Sequence, residues 1–410
     1  MPVPVAEAFA AALDLAGPVA GREALPPAEA AGRVLAADLA AGGPYPAFDH
    51  AAVDGYAVRA ADCAAGQALL PCPVQVVPGS RPAALAPGSA ARIFTGAPIP
   101  AGADAVAMQE VCTAGSDGEG RPNVRIDGPL APGQNLRRAG EDIRAGQPLL
   151  DAGTLLDLRH VAAAAAADCG SLTVRRRIRV AFLSCGNELV AAGEAAIQGV
   201  PVARDSNRPM LAALLARPWI QPLDLGIQPD DPARLRAVLA EAAGAADLVI
   251  TSGGMSVGET DHLPAAIAAL GGRWAALQVA MKPGKPLGLG RLQDAALLGL
   301  PGNPYAAFVG AVMFGGLVLR RLSGQPAARP AGQAAVLEAE VSRRAGRTDF
   351  LPVSVQAQGP PLRLRPLGPG GSARLAPLLA ADGLAELPAD GAAVGPGGAE
   401  VLFHRFRDLF

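Results

Sequence analysis

Histidine is scarce in this chain, with four among 410 residues. A hydrolase built around a histidine base is therefore not expected. His50, the one histidine near a suspected site, reads as a packing or solvent-facing residue. Cysteine is scarce as well. The five cysteines (Cys63, Cys72, Cys112, Cys169, Cys185) are scattered, with no CxxC pair and no histidine at zinc spacing. That excludes a disulfide framework or zinc module as the expected architecture and fits a reducing cytoplasm. An excess of either charge is missing too: 35 Lys+Arg stand against 37 Asp+Glu, a net charge of −2. With no basic tail or stripe, a nucleic-acid partner is not expected. No basic residue precedes Arg22, so no signal peptide is expected. The longest uncharged run, 295–319, is broken at Pro301-Gly302-Asn303-Pro304. What remains, 305–319, is shorter than the roughly 20 residues of a membrane helix and reads as a buried core helix. A soluble, cytoplasmic protein is the expectation, with no membrane partner.

What the chain has in abundance is glycine and proline, 50 and 39 residues. That is about twice average usage. A hydrophobic fraction of 50% and a charged fraction of 18% nevertheless argue against a disordered chain. The length implies two to four domains.

The rhythm changes along the chain. Residues 4–40 read as two helical patches around Pro26-Pro27, the second over 27–37. Residues 42–142 alternate short apolar runs with Gly/Pro turns, as in a β-rich domain. An Ala-rich helix is expected over 155–167. From 177 to 322, strands (178–183, 222–227, 247–250, 274–280, 296–300) alternate with helices (207–215, 231–243, 262–270, 305–319). That is the pattern of an α/β domain with a mostly parallel sheet. After 326, short alternating runs suggest a small β-barrel or sandwich.

The carboxyl ends of the α/β strands carry loops of glycine, small polar residues and carboxylates. They include Ser184-Cys185-Gly186-Asn187-Glu188, Asp205-Ser206-Asn207, Asp230-Asp231-Pro232, Thr251-Ser252-Gly253-Gly254 running through Ser256 to Asp261, and Pro301-Gly302-Asn303-Pro304. Ligands of such sheets bind at this edge. Glycine-rich loops and helix N-termini suit an anion. Lys282-Pro283-Gly284-Lys285 adds two cations. Carboxylates beside a phosphate make sense if a divalent metal bridges them. Individually, Asp205 and Asp231 read first as helix caps, and the lysines could be a solvated turn. Arg137-Arg138-Ala139-Gly140-Glu141-Asp142 alone reads as a surface ion cluster. No P-loop pattern occurs, and no GxGxxG occupies a first βα turn.

In their order these segments resemble the molybdopterin molybdenumtransferase family, which includes MoeA and the E-domain of gephyrin. The carriers are 46–59 (PAFDHAAVDGYAVR), 93–106 (IFTGAPIPAGADAV), 135–143 (NLRRAGEDI), 184–189 (SCGNEL), 205–208 (DSNR), 250–261 (ITSGGMSVGETD), 281–286 (MKPGKP), 300–304 (LPGNP), 346–351 (GRTDFL) and 371–379 (GSARLAPLL). The resemblance spans essentially the whole chain. It implies a multidomain α/β plus β subunit: an elongated linker domain I (1–41 and 143–176, part of the N-terminus packing elsewhere), a β-rich domain II (42–142), a molybdopterin-binding α/β domain III (177–325) and a C-terminal β-barrel domain IV (326–410). It further implies a homodimer whose cleft lies between domain III of one subunit and domain II of the other. The implied reaction inserts molybdenum from molybdate into adenylated molybdopterin, with Mg²⁺, and releases AMP.

Carried over by position, the resemblance makes Asp54, Thr95, Asp142, Glu188, Asp230 and Asp261 catalytic, with Asp230 and Asp261 on the metal. It puts Asp205, Ser206, Gly253, Gly254, Ser256, Pro301, Asn303 and Pro304 on substrate. It puts Lys282, Lys285, Arg347 and Ser372 around the molybdate oxyanion. A contact with the molybdopterin adenylyltransferase is a further expectation. The alternatives are an adenylyltransferase-like enzyme and a non-catalytic cofactor carrier. The chain departs from the family pattern at Ala51-Ala52-Val53, at Asn187, where a carboxylate is usual, and at Ala306, where a serine is usual.

Overall fold

The computed structural model describes residues 1–195, 201–255, 262–357, 359, 361–368, 371–390, 393–394 and 400–409. At its centre is a six-stranded sheet. Its strands, numbered within this domain, are β1 (Ile178–Cys185), β2 (Ile220–Gln228), β3 (Leu248–Ser252), β4 (Arg273–Gln278), β5 (Pro286–Leu292) and β6 (Ala295–Leu300). They lie in the order β2-β1-β3-β6-β5-β4. The first four in that order are mutually parallel; β5 and β4 continue antiparallel.

Helices α1 (Asn207–Leu215), α2 (Pro232–Ala245), α3 (Leu263–Ala269) and α4 (Pro304–Ser323) cover both faces. Strand periodicity divides β1 between them. Ile178, Val180 and Phe182 pack with α1 and α4; Ala181, Leu183 and Cys185 pack with α2 and α3. Burial on both faces is why these strands read as unbroken apolar runs. Helix α4 is long and apolar enough to cross a membrane, but 78% of its apolar window is buried in this core. The core-helix reading of 305–319 therefore holds.

The N-terminal helix Val5–Leu13 also belongs to this core. Its Phe9 stacks on Phe314 of α4, with ring centroids 4.5 Å apart. The second helical patch expected over 27–37 does not form. Pro27–Glu29 makes one 3₁₀ turn, Gly32 takes a positive φ of 74°, and Val34 and Leu35 bridge to Leu155 and Val174. Pro26-Pro27 can start a helix, but Gly32 ends it within a turn. Further on, Arg22–Leu25 pairs with Leu172–Arg175, and Leu39–Ala40 with Pro148–Leu150. The Ala-rich helix runs Leu158–Ala166, capped by Asp157, whose carboxylate accepts from the N–H groups of Arg159 and His160.

The β-rich segment forms a four-stranded sheet of Val74–Val76, Ala91–Ile93, Gly55–Val58 and Ala105–Met108, and a three-stranded sheet of Gln67–Pro71, Pro122–Asp127 and Cys112–Ser116. The C-terminal segment closes a five-stranded barrel. Thr348–Ala357, Leu362–Pro366, Gln333–Leu337, Val401–Arg405 and Gly383–Leu387 follow in ladder order, and the last pairs back to the first. Met281–Lys282, from the α/β domain, adds a parallel pair to this barrel, with Lys282 opposite Asp349.

Strand β5 has no counterpart among the sequence expectations. Its glycines hid it. A Cβ on Gly288 or on Gly299 of β6 would collide with the indole of Trp274, so the glycines make room for that ring.

Candidate active site

The carboxyl edge of the parallel strands opens into a pocket of about 1240 Å³. Thirteen of the residues expected from sequence line it: Glu188, Asp205, Ser206, Asp230, Gly253, Gly254, Lys282, Lys285, Pro301, Asn303 and Pro304 from the α/β domain, Arg347 and Ser372 from the barrel. Asp54, Thr95 and Asp142 do not line it. Ser256 and Asp261 lie outside the described residues.

The floor is a buried polar network at the start of α1. Asp205, 4% exposed, accepts from the Ser184 hydroxyl and from the N–H groups of Asn207 and Arg208, each at 3.1 Å. Its second oxygen accepts from Arg208 Nε at 3.3 Å. The helix-capping reading of Asp205 thus holds for its side chain. Asn207, in the same DSNR segment, is 6% exposed. Its Nδ2 donates to Ser252 Oγ at 2.7 Å and to the Gly302 carbonyl at 2.8 Å. It ties α1, β3 and the loop after β6 together.

Gly253 has φ 82°, and a Cβ there would approach the Cys185 carbonyl to 2.6 Å, so only glycine fits. Its N–H donates to the Leu300 carbonyl at 3.0 Å. The Ala306 N–H, at the start of α4, donates to the Ser372 carbonyl at 3.1 Å. The Gly253 and Ala306 N–H groups are therefore already spent within the protein.

Those cations are distinctive. Of the 35 lysines and arginines in the chain, only Lys282 and Lys285 are lysines. Among the described residues neither ammonium has a hydrogen bond or ion pair. Lysine is a compact point charge with rotatable donors, whereas arginine is a flat fork. This compositional signal was present in the sequence and needed only a residue count. Arg347 joins them from the barrel, its Nε donating to Asp349 at 2.9 Å. Besides Asp205 in the floor, two acidic residues share the pocket. Glu188 is exposed, and Asp230 accepts from the Asn187 N–H at 3.1 Å while its own N–H donates to Asn187 Oδ1 at 3.1 Å. Asp231 remains an exposed cap of α2, accepting from the Arg234 N–H at 2.6 Å.

The barrel is fastened to this edge at several points. Beside the Met281–Lys282 pairing, the buried Tyr305 hydroxyl donates to the Phe350 carbonyl at 2.8 Å. Burial, then the negative charge of Asp349, pushes the Tyr305 phenol far up, so it stays a donor. Farther back, Glu386 of the barrel pairs with Arg329 and with His404 Nε2, the latter at 2.8 Å. Arg329 in turn lies over the Phe9 ring, 5.3 Å from its centroid.

In the β-rich domain, Asp54 Oδ1 accepts from both the Thr95 N–H and the Thr95 hydroxyl, each at 2.8 Å. The N–H first and the hydroxyl second hold this exposed carboxyl below its ordinary range. Arg92 packs nearby, between Tyr56 and Phe94. Pairing of Leu136–Arg137 with His50–Ala51 carries the Asp142 loop to the same region. Arg137–Glu141 and Arg138–Asp49 ion pairs at 3.1 and 2.7 Å fulfil the ion-cluster reading.

Family models match the chain in three consecutive blocks: a MoeA N-terminal region (domain I and II) at residues 3–168, a probable molybdopterin binding domain at 181–322, and a MoeA C-terminal region (domain IV) at 334–405. The chain is 36% identical over 332 residues to a molybdopterin molybdenumtransferase of Haemophilus influenzae, covering 78% of each. It is 34% identical over 383 residues to molybdopterin molybdenumtransferase 2 of Mycobacterium tuberculosis, covering 91% of this chain and 92% of that one. Among solved structures, the molybdopterin biosynthesis MoeA protein of Pyrococcus horikoshii OT3 superposes with a TM-score of 0.80 at 28% identity, covering 99% of this chain and 100% of that one.

Proposed function

The chain belongs to the molybdopterin molybdenumtransferase family, transferases that insert molybdenum into molybdopterin, and on that premise we propose that its large pocket takes molybdate together with adenylated molybdopterin and releases AMP. The observation that carries this reading is the convergence of Lys282, Lys285 and Arg347 on one pocket. Molybdate is a tetrahedral dianion, and charge-assisted hydrogen bonds from such cations are the strong kind. Ser372 lines the same pocket, and its hydroxyl would be a further donor.

Glu188 and Asp230 suit the adenylate end. Their donors are carboxylate oxygens, the type a hard cation such as Mg²⁺ takes, and substrate phosphates complete such shells. Among the described residues there is no cluster of three metal-ligating side chains, so Asp230 would hold the ion with phosphate oxygens and with Asp261, the second ligand expected from sequence. When bound, the ion supplies charge neutralisation for the leaving AMP. The protein's own part is to hold the molybdate against the pterin end, keep Asp230 fixed through its exchange with Asn187, and shape the floor through Asp205 and Asn207.

Asp54, Thr95 and Asp142 enter as residues of a second copy. They stand on the β-rich domain of the same chain yet do not line its pocket, so the proposal is a homodimer in which each pocket is completed by the partner. The test is AMP release from adenylated molybdopterin in the presence of molybdate and Mg²⁺. Turnover dependent on molybdate supports the reading; pterin binding without AMP release refutes it.

A further inference from the structure

We infer that Asp349 is a positioning residue for oxyanion capture, one that locks Arg347 by its Nε and so presents the rest of the guanidinium to the pocket; this rests on the oxyanion reading of the pocket above. Asp349 is 3% exposed, and its Oδ1 accepts from Arg347 Nε at 2.9 Å. Arg347 lines the pocket with its side chain 30% exposed. A guanidinium has five N–H donors in a fixed plane. Holding it by Nε alone leaves the two terminal nitrogens, and among the described residues they have no protein acceptor.

The place of Asp349 in the fold gives this lock its reference point. Its backbone lies opposite Lys282 in the parallel ladder, and the Thr348 N–H donates to the Ala280 carbonyl at 2.9 Å. The next carbonyl, of Phe350, receives the Tyr305 hydroxyl. One strand position thus registers Arg347 of the barrel against Lys282 and against the first turn of α4. A buried carboxylate is costly unless paired, and pairing it with a partly exposed arginine is a poor route to stability. It is a good route to preorganisation, because the arginine need not be ordered when the anion arrives. The carboxylate also offsets part of the mutual repulsion between Arg347 and the two pocket lysines.

The experiment is molybdate titration of the full-length protein by calorimetry, with thermal denaturation in parallel. Arg347→Ala is expected to weaken molybdate binding strongly. Asp349→Asn should weaken it about tenfold, the scale typical of residues that orient a ligating side chain. Arg347→Lys keeps the charge but has no Nε–H to be held, and should weaken binding similarly. The decisive arm is the double variant: on an Arg347→Ala background, Asp349→Asn should change affinity less than about twofold. Wild-type affinity in Asp349→Asn, or an undiminished loss on the Arg347→Ala background, overturns the inference. If Asp349→Asn does not fold, Arg347→Lys alone decides, and wild-type affinity there overturns it. No molybdate binding by the wild type, or none lost in Arg347→Ala, instead overturns the oxyanion reading and the inference with it.

Discussion

The pocket at the sheet edge and the Asp54–Thr95 region of the β-rich domain carry opposite chemistry. The first gathers two unpaired lysines and the Asp349-held Arg347 over a floor whose buried polar groups bond mainly to one another. The second presents a carboxylate held ionised by two bonds from Thr95, on an open surface. One is built by topology: parallel strands deliver their loops to a common edge, and the barrel closes over it. The other is built by local turns, and its residues Asp54, Thr95 and Asp142 do not line the pocket of their own chain. A sheet edge gathers its loops from distant parts of one chain, whereas turns on a small β domain present their residues singly on the surface.

The largest expected effect comes from removing what is unique to the pocket. Lys282→Ala with Lys285→Ala should abolish molybdate binding in calorimetry and cut molybdate-dependent AMP release at least a hundredfold. Asp54→Ala should break the other side of the comparison. Turnover should fall on the order of a hundredfold while molybdate affinity stays within about twofold, because the cations proposed to hold molybdate stand on the α/β domain and the barrel, not on the β-rich domain. Co-expressing Asp54→Ala and Lys282→Ala subunits then sharpens the contrast. Random pairing in a two-fold dimer makes half the dimers mixed, each with one intact cleft, so about a quarter of wild-type activity should return. No recovery would refute the partner arrangement.

A third prediction concerns how the pocket, unlike the Asp54 region, depends on a joint between domains. Burial pushes the Glu386 carboxyl up, but hydrogen bonds from His404 and Arg329 outweigh it and hold it below its ordinary value of 4.5. A carboxyl depressed in the folded state contributes stability above its unfolded value and loses it as pH falls through the folded value. The barrel's attachment should therefore be undiminished above about pH 4.5 and weaken below it. Glu386→Gln should cost about 2 kcal/mol, since it removes the charge from the hydrogen bonds to His404 and Arg329 while Arg329, 39% exposed, keeps its hydration. Thermal denaturation against pH checks both, and the variant should be less sensitive to acid than the wild type. The smallest effect is expected at Ala306, buried against the Ser372 segment. Ala306→Ser should alter molybdate affinity by less than about threefold.

Most of the α/β domain was legible because strands covered on both faces must be apolar without interruption, and their loops must be rich in small residues. Strand β5 was not, because its glycines make room for Trp274, and a close approach leaves no pattern in one dimension. The false helix over 27–37 came from composition; Gly32 at positive φ overruled it. In the site, charged and glycine-rich loops announced Lys282, Lys285, Gly253 and Asp230. Asp349 and Asn207 stood in quoted motifs, but their roles depend on strand register and on which carbonyl faces which amide. Spent backbone donors such as the Gly253 N–H are likewise invisible until the ladder is known.

The pair of lysines has a further consequence. Both are followed by proline, at Lys282-Pro283 and Lys285-Pro286, and no other lysine exists in the chain. Apart from the amino terminus, an acylating reagent has only these two amines to find. The protein therefore carries its own gauge of occupancy: mass spectrometry of acylated protein, with and without molybdate, reads protection at the pocket against one other amine, the amino terminus.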